Sequence, residues 1–227
     1  MKIVFFGAGG TLGSRILNEA LSRGHTVTVV ARNPEKFLQQ SRNTATPAED
    51  YVPGQPVAIN GSVTVIQGDA LHPESIAAAA VGHDAAISSI GGDPAGFKPT
   101  TAALIEGLTQ AGVKRLLCVG GAGSLEVAPG VQLVDAPGFP EAYRATAEAH
   151  REVLDALKAN TSLDWTYVSP AAVIFPGERT GQFRLGGDQL LTDEKGESRI
   201  SAEDYAIAFI NELEQPTHLR QRFTVAY

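Results

Sequence analysis

A single cysteine, Cys118, stands in the 227 residues, so no disulfide can close within the chain and a small stapled scaffold is excluded. Positive charge is in deficit. Its 18 Lys and Arg against 25 Asp and Glu leave a net charge of −7, which argues against a nucleic-acid-binding surface. Long apolar runs are missing too. No stretch approaches the roughly 20 apolar residues of a membrane span, and the apolar opening breaks at Gly7, too early for the core of a secretory leader. His72, His83 and His218 have no ligand spacing with one another or with Cys118, so no metal site is expected. These absences leave a soluble, cytoplasmic protein with neither nucleic acid nor membrane as partner.

What is present suits one domain. A 43% hydrophobic content with 19% charged residues can bury a sizeable core. Short β-branched apolar runs alternate with longer helical patterns, which predicts a parallel sheet covered on both faces. Strands are expected at 2–6, 25–31, 62–67, 84–90, 114–119, 164–168 and 222–226, and helices near 11–23, 34–40, 73–80, 100–111, 143–159 and 202–214. Asn33 before Pro34 places a capping residue ahead of a proline at the first helical position. Gly24 and Gly112 stand where a helix ends on a left-handed residue. Ser201, followed by Asp204, resembles a capping box. Two segments break the alternation: 41–61 reads as a long surface insertion, and 120–140 as a Gly- and Pro-rich loop after a strand, where such sheets build ligand sites. The expectation is a single Rossmann-like domain over 1–227, doubly wound and mostly parallel, with a small substrate-side region at 120–142 and 170–200.

The strongest signal is Gly7-Ala8-Gly9-Gly10-Thr11-Leu12-Gly13, set between an apolar strand and an amphipathic helix, with a second strand completing the unit. Gly7 can turn tightly out of the strand, Gly10 lets a pyrophosphate approach the backbone, and Gly13 allows close helix packing. The N–H groups of the helix start at Thr11 and Leu12 would hold the phosphates. At the end of the second strand, Arg32 stands where an NAD-binding protein presents a carboxylate to the ribose hydroxyls. A guanidinium matches a 2′-phosphate, so NADP(H) is expected over NAD(H). Asp69, beside Ala70, has two open roles: accepting from the adenine amino group or capping the next helix. Ser88, Ile90 and Gly91 lie where a ribose must pass close to the backbone.

Together with Val119-Gly120-Gly121-Ala122-Gly123-Ser124-Leu125, these residues resemble the atypical short-chain dehydrogenase/reductases. Leu163-Asp164-Trp165-Thr166-Tyr167-Val168-Ser169-Pro170, Pro176-Gly177-Glu178-Arg179-Thr180-Gly181 and Arg184-Leu185-Gly186-Gly187-Asp188 resemble the NADH-flavin reductase group, which is related to biliverdin reductase B and the NmrA-like proteins. The resemblance spans nearly the whole chain. It implies an NAD(P)H-dependent oxidoreductase that reduces a flavin or similar acceptor, with FMN or FAD as substrate.

The Tyr-x-x-x-Lys pair of ordinary short-chain dehydrogenases is missing, since Tyr143, Tyr167 and Tyr205 are followed at that spacing by Ala147, Ala171 and Phe209. A tyrosine with a pKa near 10 is a poor proton donor at neutral pH. Carbonyl–alcohol chemistry and nucleotide-sugar epimerisation therefore recede. Hydride transfer to a flavin or quinone, with water supplying the proton, gains ground. Ser124 lies near the superfamily's catalytic serine or threonine. His150, on the helix face of Tyr143, is either a proton donor or a satisfied buried histidine. Tyr143 either stacks on an isoalloxazine ring or simply packs. Arg179 and Arg184 are either phosphate ligands for the acceptor or paired surface arginines. The competing reading is a non-catalytic NADP(H)-binding sensor of NmrA-like type.

Overall fold

The computed structural model describes residues 1–40, 55–59 and 61–227. Strand β1 (Lys2–Phe6) leads through the glycine loop into α1 (Thr11–Ser22), β2 (Thr26–Ala31) and α2 (Pro34–Gln40). After β3 (Val57–Ile59) and β4 (Val63–Gln67) come α3 (Pro73–Ala80), β5 (Ala85–Ser88), α4 (Phe97–Ala111) and β6 (Arg115–Val119). The hairpin β7 (Glu126–Ala128) and β8 (Val131–Gln132) precedes α5 (Glu141–Lys158) and β9 (Asp164–Pro170). Three short strands, β10 (Val173–Phe175), β11 (Arg184–Gly186) and β12 (Arg199–Ser201), then lead to α6 (Ala202–Glu214) and β13 (Gln221–Ala226).

The main sheet has nine strands in the order β11-β13-β9-β6-β5-β1-β2-β4-β3. Its seven inner strands are parallel, and only the edges β11 and β3 run antiparallel. The expected Rossmann-like, mostly parallel architecture is therefore the observed one. Each face of the sheet carries its own core. Ile3 and Phe5 pack with Ile16, Ala20 and the α6 residues Tyr205 and Phe209, whereas Val4 and Phe6 pack with Ile76, Leu104, Leu108 and Leu157. Successive side chains of β1 thus feed opposite cores, as the pleat dictates. That is why its sequence reads as a continuous apolar run rather than an alternation.

The punctuation acts largely as expected. Asn33 Oδ1 accepts from the Lys36 N–H at 2.9 Å, and Gly112 ends α4 in the left-handed region at φ 75°. Ser201 caps α6 by accepting from the Asp204 N–H at 3.0 Å, but Asp204 turns its carboxylate elsewhere. The six strands β3, β7, β8, β10, β11 and β12 were not expected. None exceeds three residues, too few for a periodic pattern to register. Helix α4 starts at Phe97, earlier than expected, because Pro99 sits in its first turn, where the missing N–H costs nothing. Most of the expected insertion, 41–54 and 60, lies outside the described residues. Among the described residues no helix is long and apolar enough to cross a membrane.

Candidate functional site

The chain winds from β1 outward through β2 and β4, then returns to place β5 on the other side of β1. That reversal opens a crevice at the carboxyl ends of β1 and β5, the place where such sheets bind ligands. The Ser89 N–H donates to the Phe6 carbonyl at 2.9 Å and ties the two strand ends together. A cleft of about 1010 Å³ opens above them, walled by the glycine loop, the end of β2, the loop after β4 and the loop after β5.

The three glycines of the loop serve different needs. Gly7 has φ +88°, and a Cβ there would lie 2.2 Å from the Ser89 carbonyl oxygen. At Gly13 a Cβ would lie 2.2 Å from the Gly7 oxygen, so this glycine lets α1 close on the loop itself. Both are demanded by the chain's own packing. Gly10 is not: the nearest atom to its Cβ would be 3.7 Å away, and Gly10 lines the cleft. A side chain there would project into space that only a ligand needs. Gly10 also precedes α1 without a side-chain cap, and no acidic residue stands in the helix's first turn. The N–H groups at Thr11, Leu12 and Gly13 and the positive end of the helix dipole are left for an anion. These residues fit a dinucleotide pyrophosphate.

At the end of β2 the exposed Arg32 lines the cleft beside Asn33 and Lys36. Lys36, one turn into α2, was missed by the sequence reading. The signal was available, since Asn33 and Pro34 fix where the helix starts and Lys36 therefore falls on its first turn. Glu35, the first carboxylate after Arg32, accepts from Gln39 at 3.3 Å. Asp69 also lines the cleft, and its Oδ1 accepts from the Leu71 N–H at 3.0 Å. It closes a local turn and is not the cap of α3, whose N-cap position is His72. Ser88 requires a correction. Strand alternation turns it into a small cavity beneath the cleft wall, and Ser89, with Ile90 and Gly91, lines the cleft instead.

The expected catalytic trio does not assemble. Ser124 is 2% exposed, and its hydroxyl accepts from Arg222 Nη1 at 2.9 Å. Arg222 also pairs with Asp188, so the serine pins a crossing of loop and sheet. Tyr143 is 66% exposed on the solvated first turns of α5, where burial begins only at Ala147. His150 lies further along that helix, its ring edge-to-face with Phe97 at 4.9 Å. Burial pushes its imidazole down to about 4, so it is neutral near pH 7 and has no proton to spare as an acid. Tyr167, beside it, donates its hydroxyl to the His150 carbonyl at 3.0 Å and accepts from the Gly121 N–H at 3.0 Å. Burial raises the phenol further still.

The arginines expected on the acceptor side are bound to the scaffold. Arg179 forks onto Glu19 of α1 at 2.9 and 2.8 Å, and Arg184 donates to the carbonyls of Thr192 and Tyr227. The segment around Arg179 is strapped to α6. Gly177 donates to Glu203 at 2.8 Å, and the Thr180 and Gly181 N–H groups both donate to Asp204 Oδ1 at 2.8 Å. Burial alone would raise Asp204, but these donors and the Tyr227 hydroxyl outweigh it and hold the carboxyl below its usual range. The bond from Arg179 does the same for Glu19. Among the described residues no three His, Cys, Asp or Glu side chains gather as a metal site would require.

A family model described as NAD(P)H-binding matches residues 7–216. Three solved structures resemble the chain along its length. A Burkholderia pseudomallei protein, provisionally named an exported protein, is 46% identical with a TM-score of 0.85, covering 100% of both chains. A protein from Bacteroides thetaiotaomicron, provisionally named an epimerase, is 40% identical with a TM-score of 0.87, covering 100% of this chain and 96% of its own. The third, from Streptococcus pneumoniae and provisionally named an NADH-flavin reductase, is 32% identical with a TM-score of 0.76, covering 100% of this chain and 99% of its own. These names do not agree on a reaction.

Proposed function

Since the chain belongs to the NAD(P)H-binding family, we propose that it is an NADP(H)-dependent reductase acting on a flavin-like or quinone-like small molecule. The observation that carries the reading is the open Cβ position of Gly10 beneath an uncapped helix start. Gly7, Gly10, Thr11, Leu12 and Gly13 would hold the pyrophosphate, Arg32 and Lys36 the 2′-phosphate. Asp69 and Ala70 would meet the adenine, with Ser89, Ile90 and Gly91 along the ribose nearer the nicotinamide. When bound, the cofactor supplies hydride.

The chain's own contribution is alignment and exclusion. Among the described residues, the ionisable ones lining the cleft are Arg32, Lys36, Asp69 and Asp93, and Asp93 accepts from the Ala95 N–H at 3.1 Å. His150 is neutral behind Phe97, and Ser124 is tied to Arg222. Carbonyl reduction and epimerisation both need a positioned acid or base. Reduction of an electron-poor conjugated ring needs only proximity, because water can deliver the proton. The engagement of Arg179 and Arg184 argues that an acceptor's phosphate is not recognised there. FMN and riboflavin should then behave alike.

The absence of histidine and tyrosine from the cleft lining among the described residues favours a second reading, a dinucleotide-binding sensor without chemistry. One experiment separates the two. NADPH oxidation is followed with FMN, riboflavin and a benzoquinone, with folded Gly10→Val as the control that cannot bind. Accelerated oxidation, with similar KM for FMN and riboflavin, is expected. Measurable NADPH binding without acceleration by any acceptor would overturn the reductase reading in favour of the sensor.

A further inference from the structure

Ser75 is the third residue of α3, the position from which a side chain can reach back to the open N–H groups ahead of a helix. The N–H of His72, at the N-cap, is already engaged, donating to the Asp69 carbonyl at 3.2 Å. The Ser75 hydroxyl reaches further and accepts from the Asp69 N–H at 3.0 Å. Asp69 is thus held through its N–H and its carbonyl, and the Leu71 N–H fixes Oδ1 at 3.0 Å. The other oxygen, Oδ2, stands 4.0 Å from His72 Nε2, beyond hydrogen-bond distance, on a side chain that is 38% exposed. Asp69 lines the cleft, so a carboxylate anchored at one oxygen presents the second to whatever lies along this wall. Ser75 also packs on the turn that carries it. A Cβ at Gly68 would lie 3.1 Å from Ser75 Oγ and 2.6 Å from Val30 Cγ1, which sets the turn between α3 and β2. The Gly68 N–H donates to the Ala31 carbonyl at 3.1 Å and joins this wall to the strand end that bears Arg32.

We propose that Ser75 is a positioning residue for base recognition, its hydroxyl holding the Asp69 backbone so that Asp69 Oδ2 meets the exocyclic amino group of an adenine. A carboxylate only accepts, and the adenine amino group donates. Hypoxanthine carries a carbonyl oxygen at the same place, which the carboxylate repels. Base preference then depends on where Oδ2 points, and Ser75 governs that through the N–H of the residue that bears it. Ser75 is absent from the lining of the cleft, so it acts through Asp69 rather than on the ligand.

This role rests on the reading that the cleft takes a dinucleotide, and the test keeps the two apart. NADPH and its hypoxanthine analogue are titrated against wild type, Ser75→Ala, Ser75→Thr, Asp69→Ala and the double variant Asp69→Ala/Ser75→Ala, alongside thermal unfolding. Wild type should bind NADPH about tenfold more tightly than the analogue, the scale of one hydrogen bond to a charged group. Ser75→Ala should reduce that ratio to about twofold by weakening NADPH alone, and Ser75→Thr, which keeps the hydroxyl, should restore it. In the Asp69→Ala background Ser75→Ala should change the ratio no further, because the two residues act as one unit. A purely structural role would lower the melting point and both affinities together and leave the ratio as in wild type. That result, a wild type indifferent to the base, or a further change of ratio in the double variant would overturn the positioning role while leaving dinucleotide binding intact. A wild type that binds neither compound would overturn the function proposed above, and this role with it.

Discussion

Arg32 and Lys36 share one wall of the cleft, and each can make a charge-assisted bond to a 2′-phosphate that NADH does not carry. Such bonds are worth about 1.5–3 kcal/mol in a partly exposed site, or about tenfold to a hundredfold in affinity. NADPH should therefore bind at least about tenfold more tightly than NADH. Arg32→Ala should remove most of the gap and Lys36→Ala a smaller part, because an ammonium cannot fork onto phosphate as guanidinium does. Calorimetric titration of both cofactors against the three proteins measures this directly. Equal affinities in the wild type would mean that Arg32 extends into solvent. The Gly10 and Arg32 placements were legible in the sequence because each depends only on neighbours within one strand–helix unit. The pairings of Ser124 and Arg179 were not legible for the opposite reason. Their partners, Arg222 and Glu19, stand 98 and 160 residues away in the chain, and no local pattern announces such pairs.

At the level of elements, the segment whose sequence is most distinctive of the resemblance, 176–181, serves the scaffold. Asp204, fully buried at the start of α6, receives the Thr180 N–H and hydroxyl, the Gly181 N–H and the Tyr227 hydroxyl. Arg179 fastens the same segment to α1, the helix that rises from the glycine loop. Asp204→Ala would leave two backbone donors and two hydroxyls without their charged acceptor. A loss of about 3 kcal/mol in unfolding free energy is expected, the scale for hydrogen bonds to a buried charge. Arg179→Ala should cost less than about 1 kcal/mol, since that arginine is more than half exposed and its bridge is screened. Urea midpoints at unchanged slope would measure both. A larger loss at Arg179 than at Asp204 would sink this account. The long strands and helices were legible for an allied reason: burial on both faces imposes a periodicity that a run of five or more residues displays. The three-residue strands β10, β11 and β12 that flank this segment are held by partners elsewhere and leave no such trace.

For the whole molecule, acid stability should fall in two stages. His150 titrates near 4 in the folded protein against about 6.5 when unfolded. Between those values the unfolded chain binds the extra proton, so this contribution is complete above pH 6.5 and drains away as pH falls toward 4. The shift corresponds to about 3 kcal/mol. Glu19 and Asp204, held below their ordinary values, add a second loss at lower pH, when their carboxylates must be protonated in the folded state. Replacing the histidine with a neutral side chain separates the stages. In His150→Gln the stability profile should lose the decline between pH 6.5 and 4 and keep the steeper fall beneath it. Urea unfolding at half-unit pH steps on both proteins would trace the two curves. If they run parallel from pH 6.5 to 4, His150 is not the group that titrates there, and its burial does not keep it neutral.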